Sequence, residues 1–311
     1  MKPLRVFDGG SNPELTRAIC DALGTTPGKL RNVRFSNGEF CPIIEESIRG
    51  TDVYVVQTAA EPVDANLMAL LILLDALKRA SANRITAVIP CYFYARQDKK
   101  TRGREPITAK LVANLLVKAG AERLLVVDLH SSTIQGFFDV PTDHLYAMPL
   151  IHKYFEGKRI SKPVVVAPDA GGINRARALA TRLDAPLAVL EKERTDANQC
   201  KVHQLIGEVR GRTCIVMDDI IDTAGTMVEG LRFLEERGAK AFYACCTHAV
   251  LSGPAVKRLL EAPLQEIVVT DSVPVPPEKR TPNMTVLTLA PLLANAIARI
   301  HKDQSVSELF S

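Results

Sequence analysis

Cys214-Ile-Val-Met-Asp-Asp-Ile-Ile-Asp-Thr-Ala-Gly-Thr226 decides how the chain is read. An apolar run, Thr213–Met217, has the length and β-branching of a buried strand and ends on Asp218 and Asp219. After Asp222 come small residues, and Thr226–Arg237 then follows helical spacing up to a stop at Gly238. Small residues let backbone N–H groups close around a phosphate, and a helix N-terminus adds a favourable dipole. Two adjacent acids that end a buried strand are costly unless something pairs with them. Asp218 and Asp219 are thus placed to accept hydrogen bonds from vicinal sugar hydroxyls or to hold a metal. Asp222-Thr-Ala-Gly-Thr226 by itself would serve equally well as a helix cap; the acids in front of it tip the balance.

The same alternation extends in both directions. Leu4–Phe7, Asp52–Gln57, Arg84–Pro90 and Arg123–Val127 are predicted strands, and helical spacing covers Asn66–Arg79 and Ile107–Lys118. Asn12 is placed as the N-cap of a helix that starts at Pro13 and stops at Gly24. Further on, Pro163–Ala167, Leu187–Leu190, Ala241–Cys246, Glu266–Thr270 and Met284–Thr288 are predicted strands, with helices over Ile173–Leu183 and Leu292–Lys302. Nearly continuous apolar strands that alternate with helices predict an α/β fold of parallel sheets covered on both faces. There are too many strands for one sheet, so two doubly wound domains are expected, joined near residues 143–150: 1–146, then 147–296, with the tail 297–311 packing back on the first. Val273–Pro282 carries four prolines and is expected to be a rigid, exposed loop.

Composition narrows the function. With 39 basic and 35 acidic residues the net charge is +4, too mild to argue for nucleic acid. Trp is absent and aromatics make up 5%, which disfavours stacked-base recognition. Seven scattered cysteines without a C-x-x-C pair exclude a disulfide framework or zinc knuckle and predict buried thiols in a reducing cytoplasm. The apolar run from Leu67 is broken at Asp75, far short of a membrane span, and no signal peptide is visible.

In open parallel sheets ligands bind beyond the carboxyl ends of the strands, and other strand ends carry chemistry too. Asp128 and His130 follow one strand; neutral imidazole can ligate a metal or bond a phosphate oxygen. Asp169 ends another, and Gly171-Gly172 allow close backbone approach. Lys192 and Arg194 alternate on an extended segment, which puts both on one face, as either a solvated basic pair or a charge-stabilising one. Arg96, Lys99, Lys100, Arg102 and Arg104 stand against one acid, Asp98: a solvated face, a nucleic-acid contact or an anion-binding flap, the last being preferred.

The Cys214–Thr226 run resembles the phosphoribosyl pyrophosphate-binding motif of type I phosphoribosyltransferases. Arg34-Phe-Ser-Asn-Gly-Glu39, Tyr94-Ala-Arg-Gln-Asp-Lys-Lys100, Pro106-Ile-Thr-Ala-Lys110, Val127-Asp-Leu-His130, Ile134-Gln-Gly-Phe-Phe-Asp-Val-Pro141 and Pro168-Asp-Ala-Gly-Gly172 widen the resemblance to nearly the whole chain. With them it resembles the phosphate-activated ribose-phosphate pyrophosphokinase (phosphoribosyl pyrophosphate synthetase) family. That resemblance implies two domains of the type I phosphoribosyltransferase kind and transfer of pyrophosphate from Mg-ATP to ribose 5-phosphate for nucleotide biosynthesis. It implies ribose 5-phosphate on Asp218, Asp219, Asp222, Thr223, Ala224, Gly225 and Thr226. It implies ATP on Phe35, Asn37, Gly38, Glu39, Arg96, Gln97, Asp98 and His130, the first four from a neighbouring subunit; some members carry Asp where this chain has Asn37. Catalysis by Lys192 and Arg194, and Mg2+ on His130 and Asp169, follow in the same way. So do a dimer-built homohexamer, inhibition by ADP and activation by inorganic phosphate at Ser47, Arg49, Ser81, Ser305 and Ser307. The rival readings are a phosphoribosyltransferase that consumes the product, a non-catalytic synthetase-associated regulatory protein, and a nucleic-acid binder.

Overall fold

The structure is a computed structural model that describes residues 2–195 and 199–309; for 192–195 and 199–203 it describes only the backbone. The chain divides into two units, residues 1–146 with 272–274 and 288–311, and residues 147–271 with 275–287.

Unit 1 begins with β1 (Leu4–Asp8) and α1 (Pro13–Leu23). Asn12 caps α1, its side chain accepting from Leu15 N, and Gly24 ends it in the left-handed region at φ 68°. An antiparallel hairpin follows, β2 (Leu30–Arg34) and β3 (Phe40–Ile44). Then come β4 (Asp52–Val56), α2 (Val63–Arg79), β5 (Arg84–Ile89), α3 (Thr108–Ala119), β6 (Arg123–Val127) and β7 (Thr142–Leu145). The sheet is parallel throughout in the order β1-β4-β5-β6-β7. Val53, Val55, Ile85 and Ala87 pack with Leu70, Leu74, Val112 and Leu116 of α2 and α3. The alternate residues Tyr54, Val56 and Val88 are equally buried and point the other way, which gives the two covered faces that the apolar strands required.

The last helix, α8 (Ala290–His301), also belongs to unit 1 and packs on α1. Asp52 anchors its end: the carboxylate accepts from Arg84 Nη2 at 2.8 Å and lies 3.1 Å from His301 Nδ1, while Arg84 also reaches Ile300 O at 3.0 Å and Asp303 at 3.1 Å. These partners and the Asn83 amide hold the Asp52 carboxyl below its ordinary value against the opposing effect of burial.

Unit 2 runs α4 (Met148–Lys158), β8 (Pro163–Ala167), α5 (Ile173–Arg182), β9 (Leu187–Thr195), β10 (Gln199–Ile206), β11 (Thr213–Ile221) and α6 (Gly225–Glu236). It continues with β12 (Ala241–Ala249), α7 (Ala255–Leu260), β13 (Leu264–Thr270) and β14 (Met284–Leu287). Its sheet has the order β10-β9-β8-β11-β12-β13-β14, with only β10 antiparallel to its neighbour. From β8 the chain steps to one side, to β9, and then returns to the other side as β11. The order therefore reverses between β8 and β11, and such a reversal opens a crevice at the carboxyl ends of the two strands. Val164, Val166, Cys214 and Val216 face Met227, Leu231 and Leu234 of α6; each such side chain, fully buried, contributes roughly 1.5–3 kcal/mol.

Several expectations change. β11 does not stop at Met217: pairing with β12 carries it to Ile221, so both acids lie within the strand. β9 extends to Thr195 because β10 pairs back on it. Val273–Pro282 is exposed only in part, at Pro277, Glu278, Arg280 and Pro282. Val273, Val275 and Thr281 are buried, Val275 within the unit 2 core, and Pro277–Lys279 forms a 3-10 turn. Cys20, Cys91, Cys214, Cys245 and Cys246 are buried free thiols and Cys41 is half-buried. Among the described residues no helix is long and apolar enough to cross a membrane.

Candidate active site

The reversal in unit 2 sets the end of β8 beside the middle of β11, which runs on past it to Ile221. Asp169 follows β8 and caps the next turn, Oδ1 accepting from Gly172 N at 3.0 Å. Asp219 is buried, and Arg175 Nη1 stands 3.5 Å from its Oδ1. Asp218 Oδ1 accepts from Asp219 N at 2.8 Å. Burial first, then the negative charges of Asp219 and Asp169, push the Asp218 carboxyl well above the ordinary aspartate range. A carboxyl whose ionised form is opposed by burial and by two neighbouring acids calls for a cation or for hydroxyl donors. Among the described residues no three His, Cys, Asp or Glu side chains are grouped closely enough to hold a metal unaided. That donor set fits magnesium, which keeps several waters and leans on substrate phosphates.

Beyond Ile221 the chain turns tightly. Asp222 is tied to the segment after β12: Ser252 N donates to its carbonyl at 3.0 Å and Ser252 Oγ to its carboxylate. Ala224 adopts the left-handed region at φ 57°, which costs an L-residue roughly 1–2 kcal/mol. α6 starts at the next residue, so its leading N–H groups gather at Gly225 and Thr226. Thr223 and Thr226 are exposed, whereas Ala224 is buried.

In unit 1 the candidates ride on loops. Phe35, Asn37, Gly38 and Glu39 form the tip of the β2–β3 hairpin and are exposed, Phe35 at 54%. The tip closes through Phe35 N to Glu39 O at 2.9 Å and Gly38 N to Phe35 O at 2.8 Å, with Asn37 Oδ1 accepting from Glu39 N at 3.1 Å. Gly38 has φ 91°, a conformation that glycine tolerates best. Arg96 and Gln97 are exposed and Asp98 half-buried after β5; Gln97 bonds Tyr94 O, Ala109 N and the Thr108 hydroxyl. Glu105 holds the cationic stretch beyond them, accepting from Thr101 N at 2.8 Å, Thr101 Oγ1 at 2.9 Å and Arg102 N at 2.9 Å. His130 is exposed just past β6, after a buried Asp128 at φ 40°.

The chain belongs to the ribose-phosphate pyrophosphokinase family. Residues 4–120 match the profile of the N-terminal domain of ribose phosphate pyrophosphokinase, and residues 199–311 that of the phosphoribosyl synthetase-associated domain. It is similar to the ribose-phosphate pyrophosphokinase of Bacillus subtilis, with 53% identity over 100% of this chain and 98% of the relative. With that of Gloeobacter violaceus it shares 51% identity over 99% of this chain and 93% of the relative. Phosphoribosylpyrophosphate synthetase from Mycobacterium smegmatis, a crystal structure, superposes with TM-score 0.91 at 44% identity, covering 97% of this chain and 100% of that one. As a member of that family, the chain is an enzyme.

The remaining candidates divide by position. Lys192 and Arg194 stand opposite Val202 and Cys200 in the β9–β10 ladder, but their side chains lie outside the described residues. Ser47 and Arg49 are exposed, and Gly50 N donates to the carbonyl of Ser81, itself at φ 64°. Ser305 and Ser307 pair hydroxyl to hydroxyl at 2.9 Å, beside Arg299, which bonds Ser305 O. The sequence reading passed over Arg175, Ser252, Arg258 and Glu105. Only Glu105 had a visible signal: it is the acid closing a run of cations.

Proposed function

We propose that this enzyme moves the β,γ-pyrophosphoryl group of ATP to the anomeric hydroxyl of ribose 5-phosphate, giving 5-phosphoribosyl 1-pyrophosphate and AMP. The observation that carries the reading is the β11–α6 junction, where two buried-strand acids precede a left-handed turn and a helix N-terminus at the point of sheet reversal. In this reading the 5-phosphate sits on the Asp222–Thr226 turn, and Asp218 and Asp219 accept hydrogen bonds from the ring hydroxyls. ATP is the ligand of unit 1: Phe35 of a neighbouring copy offers a face to adenine and that copy's Asn37, Gly38 and Glu39 its edge, while Arg96, Gln97, Asp98 and His130 take the rest of the nucleotide.

The anomeric oxygen bonds to the β-phosphorus while the bond from that phosphorus to the α–β bridging oxygen breaks. AMP leaves with the electron pair, and the hydroxyl proton passes to solvent. Positioning and charge neutralisation supply most of the rate in such transfers. Lys192 is assigned to charge on the transferring group and Arg194 to the phosphates. Mg2+ would neutralise phosphate charge; His130 in unit 1 and Asp169 in unit 2 are each assigned to it by family membership, each with the ligand of its own unit. Phosphate activation at Ser47, Arg49, Ser81, Ser305 and Ser307, a dimer-built hexamer and a cytoplasmic setting belong to the same proposal, supported by family membership and by free cysteines.

The test is AMP release from ATP with ribose 5-phosphate, with and without Mg2+ and inorganic phosphate. AMP and 5-phosphoribosyl 1-pyrophosphate in equal amounts, dependent on Mg2+ and stimulated by phosphate, are expected. No AMP, together with consumption of added 5-phosphoribosyl 1-pyrophosphate and a base, would make the chain a phosphoribosyltransferase. Neither activity would make it a silent relative.

A further inference from the structure

Arg258 lies in α7, thirty-five residues beyond the sugar-phosphate turn in sequence, yet its Nη1 donates to the carbonyl of Thr223 at 2.9 Å. A peptide unit is planar and trans, so its C=O and its N–H point in opposite directions. Drawing the Thr223 carbonyl toward the guanidinium therefore turns the Ala224 N–H away from Arg258. Ala224 is the residue held in the left-handed region, and the turn cannot keep that strain without outside support. A second observation bears on the same atom. A Cβ built on Gly225 would stand 3.0 Å from Arg258 Nη1, so a side chain there would press on the guanidinium where it now lies. On the other flank Ser252 fixes Asp222.

We propose that Arg258 is a positioning residue for the ribose 5-phosphate cradle: from behind the turn it holds the Thr223–Ala224 peptide with its N–H directed away from the guanidinium and places a fixed positive charge there. This rests on the reading of Asp222–Thr226 as the 5-phosphate site. The positive charge acts through the peptide it bonds and touches no reacting atom, so its loss weakens binding of the sugar phosphate and leaves the nucleotide alone.

The test compares Arg258→Gln, Arg258→Lys and Thr226→Val in the full chain, with KM measured separately for ribose 5-phosphate and ATP. Arg258→Gln is expected to raise the ribose 5-phosphate KM about tenfold to hundredfold, the loss of a charge-assisted hydrogen bond, with the ATP KM unchanged. Arg258→Lys, which keeps charge and a donor, is expected to recover most of that loss. A ribose 5-phosphate KM unchanged in Arg258→Gln but raised in Thr226→Val overturns the role of Arg258 and leaves the cradle standing. An unchanged value in both sinks the cradle itself. A rise in both KM values, or no rescue by lysine, also overturns the proposal. If Arg258→Gln does not fold, Gly225→Ala takes its place: its added methyl presses on the guanidinium and should raise the same KM, less so when combined with Arg258→Lys, and full additivity of the two overturns it.

Discussion

The two units share an architecture and differ in what it does for the site. In unit 2 the strand order reverses between β8 and β11; Asp218 and Asp219 lie within β11, Asp169 follows β8, and the charges of Asp219 and Asp169 add to burial in raising the Asp218 carboxyl. In unit 1 the order β1-β4-β5-β6-β7 runs without a reversal, and the candidate residues sit on exposed loops closed by local hydrogen bonds. Where the sheet itself opens a crevice, charge is stored at a price in stability; where it does not, exposed loops closed by their own hydrogen bonds carry the candidates. Changes in unit 2 should thus act on chemistry and stability together, and changes in unit 1 mainly on nucleotide affinity.

The largest effect is expected from Lys192→Ala. Loss of a charge-stabilising group in phosphoryl transfer should lower turnover at least about 10²–10³-fold while nucleotide binding is largely kept. Unchanged turnover would remove Lys192 from the mechanism and weaken the contrast.

Asp218→Asn tests the stored charge. The folded carboxyl binds its proton more tightly than the unfolded one, so this group's contribution to stability is fully present below the ordinary value of 3.8 and is lost as pH rises through the raised folded value. At neutral pH the substitution should therefore raise the thermal midpoint in the absence of ligands while weakening ribose 5-phosphate binding. A lowered midpoint would mean that Asp218 is already paired. In the same vein, Asp219→Asn removes a like charge and should shift the acid limb of the ribose 5-phosphate kcat/KM profile to lower pH; an unmoved limb would assign it to another group.

In unit 1, Phe35→Ala should raise the ATP KM roughly tenfold, the loss of one stacked base, without moving the thermal midpoint of so exposed a residue. A matching rise for ribose 5-phosphate would erase the division of labour between the units. The smallest effect belongs to Glu105→Gln. Loosening an exposed turn should change the ATP KM by no more than about fivefold, the scale of surface charge pairs, and a larger change would mean that the cationic stretch is more rigidly built than its exposure suggests.

Much of this contrast was legible in the residues. An apolar run that meets Asp218 and Asp219 and leads on into small residues is a local signal, although the strand continues to Ile221, and so is the Asn12–Pro13 start of α1. β10 was hidden because Gln199–Ile206 mixes Gln, Lys and His with Cys200, Val202, Leu205 and Ile206 and forms a strand by pairing with β9. The hairpin carried a usable signal, Asn37-Gly38 between two short strands, a turn pair that favours positive φ. The seat of Val275 in the core could not be read from a proline-rich stretch, because burial there is decided by what packs against it. Arg258 and Ser252 meet the turn only through tertiary approach, at separations of 35 and 30 residues that no spacing rule reaches.

The most direct measurement is a crystal structure with ribose 5-phosphate and a non-hydrolysable ATP analogue bound together. The 5-phosphate is predicted within hydrogen-bond reach of the backbone N–H groups of residues 223–226, with ring hydroxyls on Asp218 and Asp219. A sugar phosphate bound elsewhere, with that turn empty or filled by a protein side chain, would contradict the account.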